Sequence, residues 1–165
     1  MKNVIIRLLS AAALAVPLVA IADQEMMGHV DRHIMLASTD LKWGAPPPVL
    51  AAGAQFVVLS GDPSQPGPYV VRLKMPAGYR IAPHWHPTDE QVTVVSGTFS
   101  MGLGEKFDAH VTRDLPAGGY ALMPAEVRHF AWTKDGATVQ VHGIGPFALT
   151  YVNPADDPSR QHAAQ

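Results

Sequence analysis

The chain has 165 residues and no cysteine, with 12 basic side chains against 14 acidic ones and a net charge of −2 at neutral pH. No disulfide framework is therefore available, and no thiolate nucleophile or ligand; so mild and unclustered a charge also leaves no electrostatic footprint for nucleic acid or an anionic membrane. The length suits a single domain with one core.

Residues 1–22 read as a secretory signal peptide. Lys2 and Arg7 flank the start, the apolar run LLSAAALAVPLVAIA follows, and Ala20 and Ala22 put small residues where a signal peptidase cuts. A membrane-spanning helix needs about 20 apolar residues, and this run is shorter and broken by Pro17. The expectation is an exported protein, periplasmic or secreted, with no stable membrane association once the segment is removed.

Residues 23–54 form the next region, an N-terminal arm. His29 and His33 stand four apart, as on one face of a helical turn, but no third ligand lies nearby and an exposed turn is the simpler reading. Trp43 and the run Pro46, Pro47, Pro48 exclude a helix interior or a central strand. They predict an irregular arm that packs over the domain or reaches a neighbouring subunit.

From residue 55 to 152, short runs rich in Val, Phe and Tyr alternate with turn residues. FVVLSG, YVVRLKM, TFSMGLG, YALM, VRHFAW, TVQVHGI and FALTYV are separated by Gly, Pro and Asp clusters, with a polar stretch EKFDAHVTRD among them. No convincing helix interrupts them, and the pattern predicts an all-β sandwich or barrel. The tail 153–165, NPADDPSRQHAAQ, lacks apolar content and is expected to be flexible.

Two blocks in this region carry chemistry. The first, GYRIAPHWHPTDEQVTVVSG from Gly78 to Gly97, holds His84, His86 and Glu90. In a strand His84 and His86 project to one side with Trp85 to the other, and the turn Pro87, Thr88, Asp89 returns Glu90 to the same side. Two imidazoles and a carboxylate on one face suit a first-row divalent metal. The second block, GGYALMPAEVRHFAWT, reads as a strand, a turn at Pro124 and a strand carrying His129 as a fourth ligand.

Together the blocks resemble the two motifs of the cupin superfamily. The first matches at Gly78, His84, His86, Glu90 and Gly97; the second matches at Gly118, Pro124 and His129, with Glu126 where the family usually has Gly and Thr133 where it often has Asn. The phrases GDPSQPGPYVVRLKMPAG, HWHPTDEQVTVVSGTF and GPFALTYVNPADDP look like those of small exported bacterial single-domain cupins without an established activity. The resemblance implies a cupin jelly-roll β-barrel (a double-stranded β-helix), with His84, His86, Glu90 and His129 as metal ligands inside it. The cofactor is then a divalent transition metal such as Mn, Fe, Ni, Zn or Cu.

The functional expectation is a metal-dependent enzyme acting on a small organic molecule, by dioxygenase-like oxidation or by isomerase or lyase chemistry. The alternative is a non-catalytic module that binds or senses a metal or small ligand. His142 is a candidate general base if Gln140 and His142 face the cavity, whereas inward Val139 and Val141 would put His142 on the surface. Glu126 is a second acid–base candidate if it reaches the cavity mouth rather than solvent. Tyr69 and Arg72 are weaker candidates for substrate contact. Open strand edges and an apolar arm suggest a homodimer.

Overall fold

The computed structural model describes residues 33–162; the signal segment, His29 and the start of the arm lie outside the described residues. Its strands are β1 (Gln55–Ser60), β2 (Gly67–Met75), β3 (Arg80–Trp85), β4 (Glu90–Leu103), β5 (Arg113–Pro116), β6 (Tyr120–Met123), β7 (His129–Trp132), β8 (Ala137–Gly145) and β9 (Thr150–Tyr151). All pair antiparallel in the order β1-β2-β8-β4-β7-β3-β9, with β5 and β6 also on β4. This is the curled sheet of a jelly roll.

The long strand β4 joins the two layers. Its first half pairs with β8 and β6, and from Thr98 onward it pairs with β5 and β7. The change of layer is built from a register slip between Val94 and Ser96 followed by Gly97 at φ 74°. A β-carbon at Gly97 would overlap the Gly136 carbonyl oxygen and stand 2.9 Å from Ala137 Cα. The last position of the first motif therefore needs glycine for both its left-handed backbone and its close approach.

Alternation supplies the core. Tyr69, Val71, Leu73 and Met75 on β2, Val92 and Val94 on β4, and Val139 and Val141 on β8 are all buried, and Phe99 and Met101 join them after the bend. Burial of each large apolar side chain contributes about 1.5–3 kcal/mol. On β3 alternation breaks, because the pairing with β7 slips between Ile81 and His84. That bulge turns both Ile81 and His84 inward, although they are an odd number of residues apart.

The arm closes one side of the domain. Gly44 and Phe56 exchange backbone hydrogen bonds at 2.9 Å, and Leu50 and Ala54 are buried. Tyr79 Oη donates to the Ala51 carbonyl at 2.6 Å and Tyr151 Oη to the Val49 carbonyl at 2.8 Å, so two tyrosines of the barrel hold the arm in place. At the other end Asn153 caps a 3-10 turn over Pro154–Asp156, and a short helix follows over Pro158–His162, elements that the sequence reading did not assign. Among the described residues no helix is long and apolar enough to cross a membrane.

The turn of the second motif accommodates its unusual residue. Glu126 has φ 64°, the left-handed conformation that the family's usual Gly adopts without strain. Its N–H donates to the His86 carbonyl at 2.8 Å, and the Arg128 guanidinium donates to the Glu126 carbonyl at 2.7 Å, so the surroundings impose the conformation. A left-handed non-glycine residue costs about 1–2 kcal/mol, against roughly 0.5–1 kcal/mol for the extra chain freedom of glycine. Glu126→Gly should therefore raise stability by up to about 1 kcal/mol, whereas the β-branched Glu126→Val should lower it. Urea unfolding with an unchanged denaturant dependence checks this; a clear loss of stability in Glu126→Gly would contradict it.

Candidate metal centre

His84 on β3 is the cross-strand partner of His129 on β7, and their ring centroids lie 4.2 Å apart. His86 follows one residue after β3 ends, its ring centroid 4.9 Å from that of His84 and 5.2 Å from that of His129. Glu90, the first residue of β4, extends Oε1 to within 3.5 Å of His86 Nε2 and Oε2 to within 3.5 Å of His129 Nε2. The two motif turns are tied to each other, since Asp89 Oδ1 accepts from the Ala125 N–H at 2.9 Å beside the Glu126-to-His86 backbone bond. Thr88 Oγ1 also donates to the Ile144 carbonyl at 3.1 Å, which anchors the first turn to β8.

One pattern sets the chemistry of the three imidazoles. His84 Nδ1 lies 2.7 Å from the Ala82 carbonyl, His86 Nδ1 2.8 Å from the Ala148 carbonyl and His129 Nδ1 2.9 Å from the Val127 carbonyl. A carbonyl only accepts, so every Nδ1 must carry the proton, and in the neutral ring every Nε2 presents a lone pair. One nitrogen from each ring falls in a group within 4.8 Å of one another, the spacing of ligands around one ion.

The electrostatics treat the rings differently. Burial, reinforced by His129 and His86, pushes the His84 imidazolium down to about 3, so this ring stays neutral. At His86 burial also opposes the charge, but the neighbouring Glu90 carboxylate outweighs it and raises the group above its ordinary value. Burial works against ionisation of Glu90 as well; the facing His129 and His86 overcome it and hold the carboxyl well below the usual range. A mostly buried carboxylate surrounded by imidazoles lacks a fixed positive partner.

That donor set fits a divalent metal. His86 Nε2 and His129 Nε2 are buried without a hydrogen-bond partner among the described residues, because Glu90 at 3.5 Å is an ion-pair distance rather than a hydrogen bond. Such orphaned groups cost about 1–3 kcal/mol each. A cation would use both lone pairs, neutralise Glu90, and find the rings already oriented by carbonyls in the manner typical of histidine ligands.

A cavity of about 110 Å³ opens beside the cluster. His84, Glu90, His129 and Tyr69 are its polar lining groups, and the rest is apolar, with Val92, Phe99, Met101, Val141 and Phe147 among the walls. Pro47 and Leu50 show that the arm supplies one wall, and Phe147 and Leu149 show that the segment before β9 supplies another.

The acid–base candidates lie elsewhere. Val139 and Val141 face the cavity, which puts Gln140 and His142 on the opposite side of β8. There Arg72 Nε donates to Gln140 Oε1 at 2.9 Å, and Gln140 Nε2 donates to His142 Nε2 at 2.8 Å. Glu126 has an exposed side chain on the turn and is absent from the cavity wall. Thus neither His142 nor Glu126 is brought to the cluster, and Arg72 is outward while Tyr69 is inward. The sequence reading missed the carbonyls of Ala82, Val127 and Ala148, which no side-chain pattern signals, and the wall residue Phe147.

Comparison with known proteins agrees with this geometry. A family model described as the ChrR cupin-like domain matches residues 31–148. No curated protein matches the chain. Among solved structures, it is similar to the polyketide cyclase RemF from Streptomyces resistomycificus, with 16% identity, a TM-score of 0.62, and coverage of 78% of this chain and 92% of that one. A provisionally assigned acetylacetone dioxygenase from Methylibium petroleiphilum shares 22% identity at a TM-score of 0.56, covering 78% of this chain and 92% of that one. The DMSP lyase DddQ from Ruegeria pomeroyi shares 17% identity at a TM-score of 0.55, covering 76% and 74% respectively. At these identities the likenesses are evidence of fold.

If the four side chains share one ion, replacing His84, His86, Glu90 or His129 by Ala should weaken metal binding by at least about tenfold, the lower end of the effect of removing even an outer-sphere partner. The exposed His33 and His110 should be dispensable. Metal content after dialysis against a weak chelator measures this, and full retention by His129→Ala would remove the second motif from the centre.

Proposed function

The chain belongs to the ChrR cupin-like domain family, and from that premise we propose that it is a metal-dependent enzyme acting on a small organic molecule. The observation that carries the proposal is the junction of the carbonyl-oriented imidazoles with an apolar cavity. A structural metal site is closed by its protein ligands, whereas this donor cluster faces space that a second molecule can enter. His84, His86, Glu90 and His129 would hold the ion. When bound, a metal supplies Lewis-acid polarisation or, if redox-active, dioxygen chemistry. The protein's own contribution is to fix the donors, exclude bulk water with an apolar wall, and limit the size of what enters.

The volume restricts the substrate. A cavity of about 150 Å³ accommodates benzene, and this one is about 110 Å³. The fitting molecule has fewer than about six non-hydrogen atoms, which excludes polycyclic compounds without a rearrangement of the walls. Oxygen donors are favoured by a hard or borderline divalent ion. The similar structures are named for a cyclase, a dioxygenase and a lyase, so they support small-molecule chemistry without selecting the reaction. Of the expected reactions we favour dioxygenase-like oxidation of a small enolisable or dihydroxy compound, with isomerase or lyase chemistry as the alternative at the same centre.

We further infer that residues 1–22 direct export, so that substrate encounter takes place in the periplasm or outside the cell. A homodimer is proposed through the outer face of the β2-β8-β4-β6 layer, where Tyr120, Leu122 and Ile144 are 54%, 44% and 54% exposed. Sedimentation at micromolar concentration should give twice the chain mass; a monomer would contradict this.

The enzyme reading is tested by access to the ion. With Mn(II) loaded, relaxation of bulk water protons should be enhanced, azide should quench the enhancement, and small diketones or diols should compete with azide. Turnover of such compounds, followed by oxygen uptake or product analysis, should be lost in Glu90→Ala and kept in His142→Phe. Absence of any relaxation effect or ligand competition would instead support the closed, non-catalytic binding module.

A further inference from the structure

We propose that Tyr69 is the ligand-contacting hydrogen-bond donor of this cavity, reaching the metal cluster across a gap left by Gly143. The inference rests on the metal-centre reading above and deepens it. It starts from the sheet register. Tyr69 on β2 is the cross-strand partner of Gly143 on β8. Gln91 on β4 pairs with His142, so one further antiparallel step places Gly143 beside Glu90. Tyr69, Gly143 and Glu90 thus form one row across three strands, on the inner face, with neighbouring strands about 4.8 Å apart.

The middle member of that row has no side chain, and the ring of Tyr69 fills the space. A β-carbon at Gly143 would overlap Tyr69 Oη and stand 2.7 Å from Cζ and 2.9 Å from Cε1. The phenol therefore lies over Gly143 and is directed along the row toward Glu90. Phe147 packs against the ring at 6.1 Å in an edge-on arrangement and fixes its plane. Tyr69 is 3% exposed and lines the cavity together with His84, Glu90 and His129.

Its hydroxyl differs from those of the other tyrosines. Tyr79, Tyr151 and Tyr120 each donate to an oxygen of the protein, respectively the Ala51 carbonyl, the Val49 carbonyl and Gln91 Oε1. Among the described residues Tyr69 Oη has no such hydrogen bond, although the residue is as buried as any of them. A phenol hydroxyl is a donor as well as an acceptor, and this one is free to serve a ligand. An apolar chamber with one uncommitted donor near a set of metal ligands selects a ligand class. The expected occupant chelates through oxygen, has fewer than about six heavy atoms, carries no charge remote from its chelating oxygens, and offers one acceptor lone pair to the phenol.

Acetohydroxamate is a probe of that class, with five heavy atoms and two chelating oxygens. Its binding to Co(II)-loaded protein can be followed by the visible ligand-field bands. Tyr69→Phe should retain cobalt and thermal stability and bind acetohydroxamate about fivefold to tenfold more weakly, the effect of one hydrogen bond. Gly143→Ala, by displacing the ring, should cause a comparable loss with cobalt retained, and Tyr120→Phe, whose hydroxyl bonds Gln91 on the outer face of the sheet, should leave acetohydroxamate affinity unchanged. The bulkier benzohydroxamate should bind more weakly than acetohydroxamate to the unmodified protein. Equal acetohydroxamate affinity in Tyr69→Phe and the unmodified protein, with cobalt present in both, would overturn the role of Tyr69 while leaving the metal centre intact. If cobalt does not bind, or its bands ignore both hydroxamates, the metal-centre reading and this inference fall together.

Discussion

Three backbone carbonyls determine what this barrel can do. Ala82, Val127 and Ala148 accept from the Nδ1 groups of His84, His129 and His86, which fixes the tautomer, holds each ring plane, and leaves the Nε2 atoms as the free donors. Side chains able to titrate or rotate could have taken that role, but a carbonyl does neither. The arrangement therefore resists flipping of the rings, at the cost of burying polar atoms that no other group among the described residues satisfies. Two of the carbonyls belong to residues two positions before the ligand they serve. The third comes from the segment between β8 and β9, so the return of the chain after β8 is part of the centre.

Strand β4 positions the remainder. It begins at Glu90, beside β6 and β8, and after Gly97 it pairs with β7, the strand that starts at His129. One continuous strand thus connects the carboxylate to the layer that carries His129. The bend at Gly97 accounts for a glycine that lies far from the ligands in sequence and takes no part in their chemistry. In the same way the Asp89 carboxylate and the His86 carbonyl fasten the second motif's turn to the first. Glu126 stays in a left-handed conformation because those contacts define the turn whichever residue occupies it.

This division between side-chain pattern and backbone geometry explains what was legible in the sequence. The all-β class and most strands follow from alternation and turn residues, and YALM coincides with β6. His84, His86, Glu90 and His129 are recognisable because ligand chemistry demands particular side chains at particular spacing, and the structure brings them into one cluster. The bulge before His84 was not legible, since backbone slips carry no residue signature here; neither were the accepting carbonyls, which any residue could provide. The arm's contribution of Pro47 and Leu50 to the cavity depends on long-range packing, as does that of Phe147. For His142 local alternation with Val139 and Val141 pointed outward, and its place beside Gln140 follows that alternation.

The same physics makes the cavity selective. With apolar walls the local dielectric is low, so the few polar groups that remain act strongly on any ligand. The central claim, that carbonyls lock all three imidazoles with the proton on Nδ1 and direct Nε2 toward one ion, has a direct test in long-range proton–nitrogen correlation NMR of uniformly nitrogen-labelled protein. Recorded in mildly alkaline, metal-free solution and again after adding zinc, the spectra should show His84, His86 and His129 protonated at Nδ1, with zinc moving the Nε2 resonances of all three. A ring carrying its proton on Nε2, or one whose Nε2 is unaffected by zinc, would contradict the account.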